Sequence, residues 1–296
     1  MDFNFDNAVN DTIKEMEKKP TYVSDTRFYS LKKDDKKNGA ALIRFLPSEL
    51  FEDGTMSTIK KVYRYNVRSK VGKGFLSEWS PSTIGQTDPI QEKWAQLWNA
   101  GQKEESKRYA RSTRYIANIK VINDPKAPEN NGKIFLLDMS QSLADKVKSI
   151  MAPSEADKEL GKVAKNLFNP LDGYNFMLIA KPGANDMITY LDSDAVGDKS
   201  SIYASMDEAV KDIKANCFKL SDWDKPEAYP TYAYLKAELD KVDGLTQDIP
   251  GTEQASTVDS FAAQVVSPTE ASAQPAQSTT AAQSTDLDSL INSLGK

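Results

Sequence analysis

The chain has 296 residues, with 38 Lys and Arg, 43 Asp and Glu, no His and one Cys. The missing His excludes a Ser-His-Asp triad, a Cys-His nucleophile and a His-based zinc site, and the single Cys excludes an internal disulfide or a Cys-rich metal centre. The formal charge of −5 argues, taken alone, against a nucleic-acid partner.

No run approaches the ~20 apolar residues of a membrane helix. The start, Met1-Asp2-Phe3-Asn4-Phe5-Asp6, is acidic and lacks the apolar stretch of a secretion signal. A soluble protein of a reducing compartment is expected. Residues 1–21 form an arm in which Val9, Ile13 and Met16 make a helical stripe that stops before Pro20. Residues 22–240 read as one mixed globular core. Asn38-Gly39 is a turn signal, and Ala40–Leu46 after it is a strand that closes at Pro47. Lys60–Val71 alternates as a strand, and so does Thr113–Ile122, with Tyr115, Ala117, Ile119 and Val121 on one face. Tyr174–Ala180 is a further apolar strand.

Helices are marked by their starts. Asp88 is an N-cap, Pro89 stands at the first helical position and Gln91 at the third, which predicts a helix burying Ile90, Trp94, Leu97 and Trp98 and ending before Gly101. Ser205 with Glu208 predicts a second, carrying Val210, Ile213, Cys217 and Leu220 on its apolar stripe. Residues 142–151 and 154–168 are two more helical candidates. Cys217 on that stripe reads as a buried structural thiol, with no His to activate it. The Asp192, Asp194, Asp198 spacing faintly suggests a cation loop, but the position that would need Glu is Tyr203, so a turn is expected.

Composition shifts near residue 241. Ala, Ser, Thr and Gln fill 25 of the 35 positions from 251 to 285. Such a segment cannot bury enough apolar surface to offset chain entropy, so 241–296 is expected to be a disordered acidic tail. At its end Leu287, Leu290, Ile291 and Leu294 share one helical face behind Asp286 and Asp288, a short segment suited to order on a partner.

The charge divides with these regions. The tail carries two Lys against seven acids, so the whole net charge lies there and the first 240 residues balance. Within them, residues 55–75 hold Lys60, Lys61, Arg64, Arg68, Lys70 and Lys73 and no acid. Residues 107–120 hold Lys107, Arg108, Arg111, Arg114 and Lys120 and no acid. Tyr63, Tyr65 and Phe75 interleave with the first segment, Tyr109 and Tyr115 with the second. Strand alternation places Arg64, Arg68 and Lys70 on one face and Tyr63 and Tyr65 on the other. Cations that track phosphates beside rings that accept unpaired bases suit single-stranded nucleic acid. The plainer alternative is a solvated basic face with strand tyrosines used in packing. A P-loop and a GxGxxG are both missing, so nucleotide chemistry has no support and no enzyme is expected. A structural or adaptor protein that docks through Leu287–Leu294 is the remaining alternative, and it leaves the basic-aromatic strands unexplained.

Several stretches resemble the single-stranded DNA-binding (helix-destabilising) proteins of T-even-type tailed phages. They are Ala41-Leu42-Ile43-Arg44-Phe45-Leu46-Pro47-Ser48, the block from Arg111 through Asp124-Pro125-Lys126 to Phe135, Pro170-Leu171-Asp172-Gly173-Tyr174-Asn175-Phe176, and the ending Thr285–Ile291. The resemblance implies an OB-fold core, a five-stranded Greek-key barrel with inserted helices in a mixed α+β chain. It implies a cleft in which Arg44, Arg111, Tyr115 and Tyr190 lie, with Trp79 nearby. To these, charge and aromaticity add Tyr63, Arg64, Tyr65, Arg68, Lys70, Lys73, Phe75, Arg108, Tyr109 and Arg114. It also implies self-association along DNA through the arm, and replication and recombination partners on Asp286, Leu287, Asp288, Leu290, Ile291 and Leu294. The setting would be the cytoplasm of an infected bacterial host. A polyanionic tail tethered beside a cationic cleft would compete with DNA at low salt.

Two departures stand out. Family members hold a structural zinc through one His and three Cys, but residues 66–93 contain neither type. Ser80, Ile90 and Lys93 stand near the thiolate positions, so no metal or other cofactor is expected, with Trp94 and Trp98 supplying apolar packing instead. The family arm is basic, whereas residues 1–13 here carry three Asp and no Lys or Arg.

Overall fold

A computed structural model describes residues 25–245, apart from 52–54, 73 and 185–186. Among the described residues there are ten strands: β1 (Gly39–Leu46), β2 (Glu49–Leu50), β3 (Met56–Ser57), β4 (Lys60–Arg68), β5 (Phe75–Trp79), β6 (Ser112–Asn123), β7 (Ile134–Ser140), β8 (Gly173–Pro182), β9 (Ile188–Thr189) and β10 (Asp194–Ser200). Four longer helices accompany them: α1 (Pro89–Asn99), α2 (Gln141–Met151), α3 (Met206–Asn216) and α4 (Tyr232–Asp243).

The strands expected from alternation form within a few residues of their expected bounds. The mixed α+β class holds, but the five-stranded Greek-key barrel does not form. Eight strands make one sheet whose path runs β10-β8-β1-β6-β4-β5, with β7 added to β6 and β9 to β8. Among the described residues no pairing joins β10 to β5, so the sheet stays open. The long strand β6 explains the branching. Its first half pairs with β4 (Arg64↔Ser112 to Lys60↔Ile116) and its second half with β1 (Leu46↔Asn118 to Leu42↔Asn123). Its other edge is taken by β7 from Arg114↔Ser140 to Lys120↔Ile134. At the far end β5 meets α4 instead of another strand, through a hydrogen bond that Tyr234 Oη donates to Glu78.

Each face is covered in sections. The odd residues of β6, Ala117, Ile119 and Val121, join Ile43, Phe45, Phe176 and Leu178 in the largest core, under Leu143 and Val147 of α2. Tyr65, Val67 and Leu76 pack on the same side beneath Ile90 of α1 and Leu235 and Leu239 of α4. On the opposite face Val62, Ile116 and Leu136 are covered by Leu220, Trp223 and Tyr229. The starts of the helices follow their signals. Asp88 accepts from Ile90 N and Gln91 N, and Ser205 accepts from Glu208 N. Gly101 has φ 77°, a left-handed geometry that stops the chain from continuing as helix.

Three helical expectations change. Residues 154–168 give only the single turn Glu155–Glu159, because Gly161 adopts φ 85° and breaks the continuation. Trp98 remains 44% exposed, stacked on Trp94 at 5.5 Å. Cys217 lies just past the end of α3, and its thiol is pushed up to about 12, first by burial and then by the Asp212 charge. The last helix runs through residue 240 to Asp243.

Candidate nucleic-acid interface

Residues opposite one another in an antiparallel ladder share a face. Register therefore places Arg64 beside Trp79, Asn66 beside Ser77 and Arg68 beside Phe75 on one side of the β4–β5 hairpin. Arg114 and Ser112 of β6 lie on the same side, opposite Val62 and Arg64. The stripe thus carries three arginines, two rings and several small polar groups. Phe75 is 68% exposed, which is unusual for a large ring on a strand and leaves its face open. The Arg64 guanidinium stacks on Trp79 at 4.8 Å to the ring centroid. Its Nε donates to Ser77 Oγ at 3.1 Å, and Ser77 Oγ donates to Asn66 Oδ1 at 2.9 Å.

One acid balances this stripe. Asp138 of β7 accepts from Arg114 Nε at 2.7 Å and pairs with Arg64 at 3.3 Å. Among the described residues no carboxylate pairs with Arg68. The stripe therefore keeps net positive charge, with two of its guanidiniums fixed in place and one open to solvent. Asp138 was not visible as a site residue in the sequence, since only the pairing of β7 with β6 brings it here.

A second feature borders the stripe on the other face of β4. Arg111 lies over the Tyr63 ring at 4.0 Å, with Lys61 over the same ring at 5.6 Å. Neither Arg111 nor Lys61 has a carboxylate partner among the described residues. Lys61 belongs with the candidate residues, and strand alternation alone does not rank it against the adjacent Lys60.

The remaining expected residues divide differently. Lys70 and Arg108 turn inward, toward Asp243 at the end of α4. The Asp243 side chain is 2% exposed and meets Lys93, Arg108 at 3.4 Å and Lys70 at 3.9 Å, while Tyr109 Oη donates to it at 2.7 Å. Burial would raise this carboxyl, but hydrogen bonds from Lys93 and Tyr109 and the charges of Lys93 and Lys70 outweigh it and hold it below the ordinary range. Lys70 also pairs with Glu105 at 3.0 Å.

Three expected contacts have no surface to offer. Arg44, Tyr65 and Tyr109 are fully buried. Arg44 points away from the main core and clamps the loop before β8. Its donors reach Asn175 Oδ1, Asn169 O, Ser200 O and Ser200 Oγ at 2.8–3.1 Å. Tyr65 Oη donates to Asp88, and burial raises its phenol well above the usual value. These side chains hold the fold that carries the site. Tyr115 and Tyr190 are half-buried against the main core. Tyr115 Oη donates to Gln141 Oε1 at 3.0 Å, and burial raises the Tyr190 phenol. Lys73, the arm 1–21 and Asp286, Leu287, Asp288, Leu290, Ile291 and Leu294 lie outside the described residues.

A family described as gp32 DNA binding protein like matches residues 37–243. The chain belongs to this family. Its span includes every strand and all four longer helices named above. The single-stranded DNA-binding proteins of Enterobacteria phages T4 and T2 are 30% and 29% identical to the chain over 221 residues, covering 73% of the chain and 70% of each relative.

The zinc that the family resemblance implied does not fit the residues present. Zinc takes thiolate, imidazole or carboxylate ligands. Ser80 is buried and spends its hydroxyl on Asp88 at 3.1 Å, Ile90 packs in the core under α4, and Lys93 pairs with Asp243. Among the described residues no group of three His, Cys, Asp or Glu could hold a metal ion. No helix among the described residues is long and apolar enough to cross a membrane.

Proposed function

We propose that the protein binds single-stranded DNA with little regard to sequence and coats exposed strands during phage DNA replication, recombination and repair. The observation that carries this reading is the stripe of Arg64, Arg68 and Arg114 with exposed Phe75, in which Asp138 is the one acid that forms ion pairs among the described residues, in a chain of this family. Phosphates along a strand would replace counterions on Arg68 and the outer edges of Arg64 and Arg114. An unpaired base would stack on Phe75, and every base has a ring face, so such contacts tolerate sequence. Duplex DNA keeps its bases stacked inside and offers none to Phe75. The work is stoichiometric binding, with no bond made or broken.

In this reading residues 1–21 serve contacts between neighbouring copies, and Asp286–Leu294 recruits replication and recombination proteins. The protein would act in the cytoplasm of the infected host.

The test is a titration of labelled oligo(dT) and of a duplex of equal length at several salt concentrations. Single strands should bind at least tenfold more tightly, with affinity falling steeply as salt rises. Equal affinity for the two would overturn the proposal.

A further inference from the structure

Arg111 is held by a hydrogen-bond chain that runs inward to a buried acid. Its guanidinium donates to Ser82 Oγ. Ser82 Oγ lies 2.7 Å from Ser80 Oγ, and Ser80 Oγ lies 3.1 Å from Asp88 Oδ2. Proton counting fixes the direction. An ionised carboxylate only accepts, so the Ser80 hydroxyl donates to Asp88. The Ser82 hydroxyl must then donate to Ser80, which leaves its lone pairs to accept from Arg111. Every link points the same way, from cation to anion, and such chains polarise one another.

The acid at the far end is well supplied. Asp88 is fully buried, and among the described residues no Lys or Arg pairs with it directly. It accepts from Tyr65 Oη at 3.0 Å, from Ile90 N at 3.1 Å and from Gln91 N at 2.8 Å at the start of α1, where the helix dipole favours an anion. The same turn also fixes the ring beneath Arg111. Tyr63 N donates to Thr83 Oγ1 at 2.9 Å, and Ser80 N donates to Tyr63 O at 2.8 Å. Residues 80–83 therefore set both the guanidinium and the ring it lies on.

We propose that Ser82 and Asp88 are positioning residues for nucleic-acid binding, holding Arg111 over the Tyr63 ring so that its remaining donors meet a strand without further ordering. This rests on the single-stranded DNA reading above and deepens it. A free arginine gives up rotamer entropy when it binds, and one already fixed gives up less.

The experiment compares Ser82→Ala, Ser82→Thr, Arg111→Ala and the Ser82→Ala, Arg111→Ala double variant in the full chain, titrated with oligo(dT). Ser82 is a half-buried turn residue, and its replacement leaves Asp88, Ser80 and Tyr65 in contact, so thermal unfolding should match the parent. Ser82→Ala should weaken binding about tenfold, the low end for loss of a hydrogen bond to a charged group. Ser82→Thr, which keeps the hydroxyl, should restore it. In the Arg111→Ala background Ser82→Ala should have no further effect, since its action passes through Arg111. An equal loss from Ser82→Ala with and without Arg111, or no loss at all, would overturn the positioning role. If Arg111→Ala itself binds like the parent while single strands are still preferred over duplex, the positioning role falls and the function stands. If the parent shows no such preference, the functional reading is what fails.

Discussion

Two groups of cations lie close together, joined where Arg108 donates to Arg68 O, and they are used in opposite ways. Lys70, Lys93 and Arg108 converge on the sequestered carboxylate of Asp243, together with the Tyr109 hydroxyl. Arg64 and Arg114 share one partly exposed acid, Asp138, while Arg68 pairs with no carboxylate among the described residues and lies beside an open ring at Phe75. By sequence the groups are not separable, because Arg64, Arg68 and Lys70 come from one acid-free run and Arg108 and Arg114 from the other, with Lys93 beside Glu92 outside both. What separates them is a residue far away in the chain. Asp243 sits at the C-terminal end of α4, where the helix dipole disfavours an anion, so only tertiary contacts account for its place. The first group spends its charge on closing the fold, and the second keeps it for a partner.

That contrast can be broken at several points. Asp243→Ala should cost about 3 kcal/mol of unfolding free energy, because it strands three cations around an emptied site. Urea denaturation measures it. An unchanged stability would mean that the Asp243 group is as open as the Arg68 group. Phe75→Ala should leave stability within about 0.5 kcal/mol, as for an exposed position. Its binding to oligo(dT) should weaken by about 1–3 kcal/mol, the worth of one stacked base. A stability loss without a binding loss would make Phe75 a packing residue.

A smaller effect separates the groups by pH. The Asp243 carboxyl is held below its ordinary value of 3.8. Its stabilising contribution is therefore full above that value and is lost as pH falls through the lower folded value. Stability measured from neutral pH down to below 3.8 should fall less steeply in Asp243→Asn than in the parent. Equal slopes would show that Asp243 is not held by its cations.

Much of the scaffold was legible because it depends on local rules. Asp88, Pro89 and Gly101 bracket α1 by capping and left-handed geometry, and the alternation of Tyr115, Ala117, Ile119 and Val121 marks the buried side of β6. The open, branched path of the sheet was not legible. It depends on β6 dividing one edge between β4 and β1 while giving the other to β7, which is a matter of long-range pairing. The site was legible as composition and not as accessibility. Arg68 and Phe75 face solvent, whereas Arg44, Tyr65 and Tyr109 are buried. No local pattern tells Arg44 from Arg68, because burial of Arg44 follows from carbonyls at Asn169 and Ser200 more than a hundred positions on. The Asp88–Ser80–Ser82–Arg111 chain escaped for the same reason. Only its Asp88 end carries a sequence signal, the helix cap.

The most direct test sets one residue from each group side by side in salt-dependent oligo(dT) titrations, Arg68→Ala against Lys93→Ala. The account predicts that Arg68→Ala lowers affinity and reduces the salt slope by about 0.7, the share of one phosphate contact on a single strand, with its unfolding free energy unchanged. Lys93→Ala should lower the unfolding free energy and keep the parent's salt slope. A reduced slope for Lys93→Ala with the parent's slope retained in Arg68→Ala would contradict it.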